Sequence, residues 1–140
     1  LGAILPRMAE RGRGQIAINA SVAGFGGLPR AAAYSGSKAA LIVMAESLKL
    51  DTDALGINLQ LVNPGFVKTP LTDKNDHPMP FLMALEDAAI CICDGFERSD
   101  FEITFPWQLA RILKTLRLLP YSAYFWLIRK ATNWPPEAQK

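Results

Sequence analysis

Three short runs in this sequence have the character of β-strands, Gln15–Asn19, Ile57–Val62 and Phe101–Phe105, and each is separated from the next by enough chain for a helix. That spacing limits the fold more than any other feature. Antiparallel neighbours can be joined by a tight turn, whereas parallel neighbours need a crossover long enough to hold a helix. Between the first two runs, Ala40, Leu41, Met44, Leu48 and Leu55 recur near helical spacing, which predicts a helix over Ala32–Leu55 closed by Gly56 in a C-cap position. After a polar loop from Lys68 to Pro80, Leu82–Arg98 predicts a second helix. Leu1–Glu10 reads as a helix ahead of the first strand, separated from it by the turn Arg11-Gly-Arg-Gly14. With a helical segment after Pro106, the order is helix, strand, helix, strand, helix, strand, helix. Such alternation implies an α/β fold, with right-handed crossovers and a parallel sheet covered on both faces, and Gln15–Asn19 as a buried strand.

Composition narrows the class. Of 140 residues, 50% are apolar and 20% charged, which fits one globular domain and excludes disordered or collagenous chains. Cys91 and Cys93 lie too close together to staple a secreted scaffold and are too few for a zinc site; two apart on a helix, they suit small buried side chains. His77, the single histidine, sits in the polar loop with only Asp73 and Asp76 nearby and reads as solvated, so no metal site is expected. No apolar run reaches a membrane span and no secretory leader is visible, which points to the reducing cytoplasm. The acceptor pattern Asn19-Ala-Ser21 is therefore discarded as a glycosylation site, being placed at a buried strand end. Gly24-Phe-Gly-Gly27 lacks a third glycine and an immediate helix, and reads as a flexible link rather than a phosphate loop. The chain starts at Leu1, inside a helical pattern with no cap before it, and so looks cut at that end.

The residues that suggest chemistry lie at the carboxyl end of the first strand. Tyr34 and Lys38, four apart on the long helix, share a face. An ammonium beside a phenol stabilises the phenolate, so such a pair can exchange a proton near neutral pH. The same spacing also arises when a surface tyrosine stacks on a lysine stem. What raises its weight is Ser21, immediately beyond the first strand, where open α/β sheets place their ligand crevices.

These residues resemble the short-chain dehydrogenase and reductase family, in its compact branch. Asn19-Ala-Ser-Val-Ala-Gly24 is similar to the family's serine segment, and Tyr34-Ser-Gly-Ser-Lys38 to its Tyr-x-x-x-Lys helix, with Ser21 and Tyr34 separated by the usual 13 positions. Pro64-Gly-Phe-Val-Lys-Thr-Pro70 resembles the segment that lies against the nicotinamide. The resemblance implies the carboxyl-terminal part of a doubly wound Rossmann-type sheet, and an oxidoreductase that interconverts a carbonyl and an alcohol with NAD or NADP. It implies Tyr34 as general acid and base, Lys38 as the cation beside it and a ribose ligand, and Ser21 as donor to the substrate carbonyl. It further implies that Pro64, Gly65, Val67 and Thr69 hold the carboxamide, Val67 by backbone and Thr69 by hydroxyl. The substrate would be lined by the loop after Thr69, roughly residues 71–83. A homodimer or tetramer burying Tyr34–Leu55 is implied as well. The family's glycine-rich turn, the determinant of NAD or NADP and a fourth catalytic residue, an asparagine, all belong to a half that would precede Leu1. On this reading the chain by itself lacks the machinery for turnover.

The division expected is residues 1–106 as the oxidoreductase part and 107–140 as a basic, apolar helical extension. Residues 107–134 contain Arg111, Lys114, Arg117, Arg129 and Lys130 and no acidic residue, whereas residues 1–106 carry 9 basic and 12 acidic side chains. The stripe Leu109, Ile112, Leu113 and Leu116, flanked by cations and followed by Tyr121, Tyr124, Phe125 and Trp126, suits peripheral contact with an anionic membrane; packing on the sheet is the plainer expectation. No nucleic-acid partner is expected, because the basic stretch carries no recognised fold signature. A rival class of reading makes the chain a non-catalytic remnant or interaction module.

Overall fold

A computed structural model describes residues 1–70, 72–75 and 78–134; His77, Asp76, Leu71 and the end of the proposed extension, 135–140, lie outside the described residues. The first helix, α1 (Leu5–Arg11), begins later than Leu1 because Pro6 fits only the first turn of a helix. β1 (Gly14–Asn19) leads through a 3-10 turn, Val22–Gly24, to α2 (Ala32–Ala54). Leu55 closes α2, and Gly56, at φ +70°, takes the left-handed conformation that the sequence assigned to it. β2 (Ile57–Pro64) runs two residues further than expected, and α3 (Leu85–Arg98) starts three later. The cause of the late start is backbone pairing. Met83 bridges to Val67, donating to the Phe66 carbonyl at 2.9 Å and accepting from the Lys68 amide at 2.9 Å. β3 (Glu102–Phe105) is followed by two helices rather than one, α4 (Trp107–Arg117) and α5 (Tyr121–Thr132), because Pro120 cannot continue a helix.

The sheet is parallel in the order β1-β2-β3, with Gly14 opposite Ile57 and Leu61 opposite Glu102. Ile42 and Ala45 of α2 pack with Ile18, Leu59 and Leu61, whereas Ala88 of α3 packs with Val62, Ile103 and Phe105. Successive strand residues point to opposite faces, so Leu61 and Val62 place α2 and α3 on opposite sides. Two crossovers that step the same way across a parallel sheet yet cover opposite faces are of opposite hand. One of them is therefore left-handed, against the expectation from sequence. The right-handed rule rests on short connections that pack straight back onto the sheet. The second connection is long, with residues 65–84 separating β2 from α3.

Two burial expectations fail. β1 is an edge strand: Ile16 and Ile18 face α2, but Gln15, Ala17 and Asn19 are exposed, so Asn19 is not at a buried strand end. Cys91 packs half-buried against the α3 side of the sheet while Cys93 is exposed, and both thiols are free.

The segment Gly24–Gly27 is not a link but a docking surface. Leu109 and Ala110 of α4 bury against Val22, with Phe25 and Phe66 alongside. On α5 the Tyr124 hydroxyl donates to the Gly27 carbonyl at 2.7 Å, and Arg30 stacks over Trp134 at 5.7 Å. Burial pushes the Tyr124 hydroxyl above the ordinary tyrosine value. The folded chain thus holds this proton more tightly than the unfolded chain, so the contact contributes fully below about pH 10. Its contribution is lost as pH rises through the higher folded value. Amide hydrogen exchange across residues 121–132 should accelerate above that pH. Tyr124→Phe should show faster exchange there already at neutral pH, by about fivefold for a lost hydrogen bond of about 1 kcal/mol.

Candidate active site

The carboxyl ends of β1 and β2 are tied together beyond the regular sheet. The Ala20 amide donates to the Val62 carbonyl at 2.8 Å, which carries the ladder one residue past β1. Ser21 follows in extended conformation and is buried. Its hydroxyl accepts from the Ala23 amide at 3.2 Å, starting the 3-10 turn, and donates to the Pro64 carbonyl at 3.2 Å. Both lone-pair and proton directions of Ser21 are thus set by backbone, at the point where β2 ends.

Tyr34 and Lys38 occupy the first turns of α2. Tyr34 is 52% exposed, and the Lys38 ammonium sits 5.7 Å from its ring centroid. Lys38 also donates to the carbonyl of Asn19, the last residue of β1, at 3.0 Å. An ammonium has three donors, so this bond fixes its place and leaves two directions open. Gly24 makes the arrangement geometrically feasible. A Cβ there would lie 2.8 Å from the Lys38 carbonyl carbon and 2.9 Å from the Ala39 amide nitrogen, so the serine turn rests directly on the backbone of α2 where Lys38 leaves it.

The segment from Pro64 to Thr69 forms the other wall. The Gly65 amide donates to the Phe105 carbonyl at 2.7 Å, and a Cβ on Gly65 would meet Pro106 at 2.8 Å. Thr72 organises the turn: its hydroxyl donates to the Val67 carbonyl at 2.7 Å and accepts from the Thr69 amide at 2.8 Å. The Thr69 hydroxyl lies 3.2 Å from that of Thr72 and accepts from the Thr72 amide at 3.3 Å. The Val67 amide donates to no backbone acceptor among the described residues.

Ser21, Lys38 and Pro64 are therefore joined at one end of the sheet through strand-end carbonyls, with Tyr34 over Lys38. Val67 and Thr69 belong to the adjoining turn, and Thr69 spends its hydroxyl within it. Sequence reasoning missed the Asn19 carbonyl, which has no side-chain signal, and Thr72. The signal for Thr72 was the Thr69-x-x-Thr72 spacing, which allows paired hydroxyls to close a turn. Among the described residues, the Lys38 ammonium keeps two donor directions and the Val67 amide has no backbone acceptor, a donor chemistry that vicinal hydroxyls and a carboxamide could accept.

Comparison with known proteins bears on the family and the fold. A family model described as short chain dehydrogenase matches residues 1–79. An uncharacterized oxidoreductase of Myxococcus xanthus is 47% identical over 120 residues, covering 86% of this chain and 47% of that protein. A dehydrogenase/reductase SDR family protein 7-like of Drosophila melanogaster is 33% identical over 149 residues, covering 99% of this chain and 46% of the fly protein. Among solved structures, a short-chain dehydrogenase from Sphingobium yanoikuyae in complex with NADPH superposes with a TM-score of 0.70 at 22% identity, over 99% of this chain and 52% of that one. The likeness shows a Rossmann fold of the same kind, and the chain spans about half the length of the curated relatives it matches.

Proposed function

Because the chain belongs to the short-chain dehydrogenase family, we propose that it forms the substrate-side half of an NAD- or NADP-dependent oxidoreductase that interconverts a carbonyl and an alcohol. The observation that carries this reading is the Lys38 ammonium, held between the Tyr34 ring and the Asn19 carbonyl at the strand end that Ser21 caps. When bound, the nicotinamide supplies or accepts the hydride.

The chain's own residues handle the oxygen of the substrate. Tyr34 gives its phenolic proton to that oxygen in reduction and takes it back in oxidation. Lys38 stabilises the phenolate left behind, and its remaining donors would hold the ribose hydroxyls. Ser21 releases the Pro64 carbonyl by rotating about its Cα–Cβ bond and donates to the substrate oxygen, holding the carbonyl in line. Val67 would receive the carboxamide through its backbone amide, with Pro64 and Gly65 shaping the floor. For Thr69 to contribute its hydroxyl, Thr72 must give up the contact between them.

Two further readings follow from family membership. A homo-oligomer would form through α2, whose outward residues Gly36, Ala40, Val43, Ser47, Leu50 and Ala54 are all exposed and carry no charge. The reducing cytoplasm suits the free thiols Cys91 and Cys93. The test of the reaction uses the full-length protein with NADH and NADPH against a panel of ketones and aldehydes. Carbonyl-dependent loss of reduced nicotinamide absorbance is expected with one of the two cofactors. Cofactor binding without turnover on any carbonyl or alcohol would overturn the reading in favour of a non-catalytic module.

A further inference from the structure

We propose that the outer surface of α4 and α5 binds the headgroup layer of an anionic lipid bilayer, independently of the reaction at Ser21, Tyr34 and Lys38. These helices are apolar on two sides. The inner side is spent on the fold, through Leu109 and Ala110 of α4 and Tyr124 and Ile128 of α5. The outer side still shows Trp107, Leu118, Tyr121, Phe125 and Trp126, each more than half exposed at 57–84%. A helix of a soluble protein that has already buried one stripe has no reason within the fold to carry a second, so the outer rings call for something else to cover them.

The charges say what that is. Arg111 lies 5.2 Å from the Trp107 ring centroid, Arg117 5.7 Å from Tyr121, and Lys130 5.4 Å from Trp126, so each of these exposed rings has a cation beside it. Among the described residues, Arg111, Arg117, Arg129 and Lys130 have no carboxylate partner and Lys114 pairs with Glu102. Amphipathic tryptophan and tyrosine rings with flexible cations beside them match the boundary between acyl chains and headgroups, the rings sinking below and the cations reaching the phosphates. A second copy fits poorly, because a two-fold contact through this surface would set unpaired cations against their own images. The mode is lying on the bilayer: among the described residues, no helix is long and apolar enough to cross a membrane.

Trp107 and Trp126 lie on the proposed surface, so their fluorescence, with every other tryptophan of the full-length protein replaced by phenylalanine, reports on it. With phosphatidylcholine vesicles containing phosphatidylserine and brominated acyl chains, the full-length protein is expected to show a blue shift and quenching at low salt. Phosphatidylcholine alone should give neither, and added salt should reverse the effect. Arg129→Gln with Lys130→Gln should weaken partitioning about thirtyfold, from about 1 kcal/mol per cation. Fluorescence unchanged by the anionic vesicles would overturn the proposal. So would partitioning that ignores the two neutralising substitutions, or light scattering that shows the tryptophans already covered in a stable dimer.

Discussion

Tyr34→Phe should lower turnover of the full-length oxidoreductase by roughly two to four orders of magnitude, the range for removing a positioned general acid. The substitution deletes one hydroxyl and keeps the ring over which Lys38 sits, so the cation should stay in place. Lys38 is also anchored by the Asn19 carbonyl at 3.0 Å, a bond that does not involve the phenol. Cofactor affinity should therefore change little. Stability should stay within about 0.5 kcal/mol, because Tyr34 is half exposed and its hydroxyl has no hydrogen bond among the described residues. Steady-state turnover beside cofactor binding by fluorescence titration separates the two effects. Equal losses in both would mean that Tyr34 acts by packing, and no loss in either would make the chain a remnant.

Much of the architecture was legible in the sequence because local physics decides it. Helical periodicity marked α2, Gly56 marked its end, and the turn residues bounded β2 and β3. The site motif was legible for the same reason, since Ser21, Tyr34 and Lys38 are placed by one strand end and one helix. What escaped depends on distance along the chain. The opposite hands of the two crossovers are settled by which face of the sheet α2 and α3 each cover, which no local pattern encodes. The start of α3 was misplaced because Met83, whose neighbours are helical in pattern, spends its backbone on residues 66 and 68. Tyr124 meets Gly27 across 97 residues, and only the rule that a buried tyrosine hydroxyl needs a partner hints that it must find one. The flexible link expected at Gly24–Gly27 failed because glycine was taken as a sign of freedom. Here it also signals contact.

That distinction predicts opposite outcomes for two glycines three residues apart. Gly27→Ala should be nearly neutral, within about 0.5 kcal/mol, because a Cβ there meets nothing within 4 Å and the carbonyl that receives Tyr124 is untouched. Gly24→Ala should cost about 1–3 kcal/mol, the usual range for overpacking. Its new methyl would press on the Ile42 side chain at 2.7 Å and on the backbone of Lys38 and Ala39, and a helix backbone cannot turn aside as a side chain can. Relief must come from the serine turn, which would lift from α2 and carry Ser21 away from the Pro64 carbonyl at the end of β2. A displacement of that kind should cost turnover about a hundredfold. Cofactor affinity should suffer less, since Lys38 and the Val67 amide stay on elements that do not move. Thermal unfolding and turnover measured on both variants decide it: a Gly24→Ala protein as stable and active as Gly27→Ala would mean that the serine turn does not depend on its contact with α2.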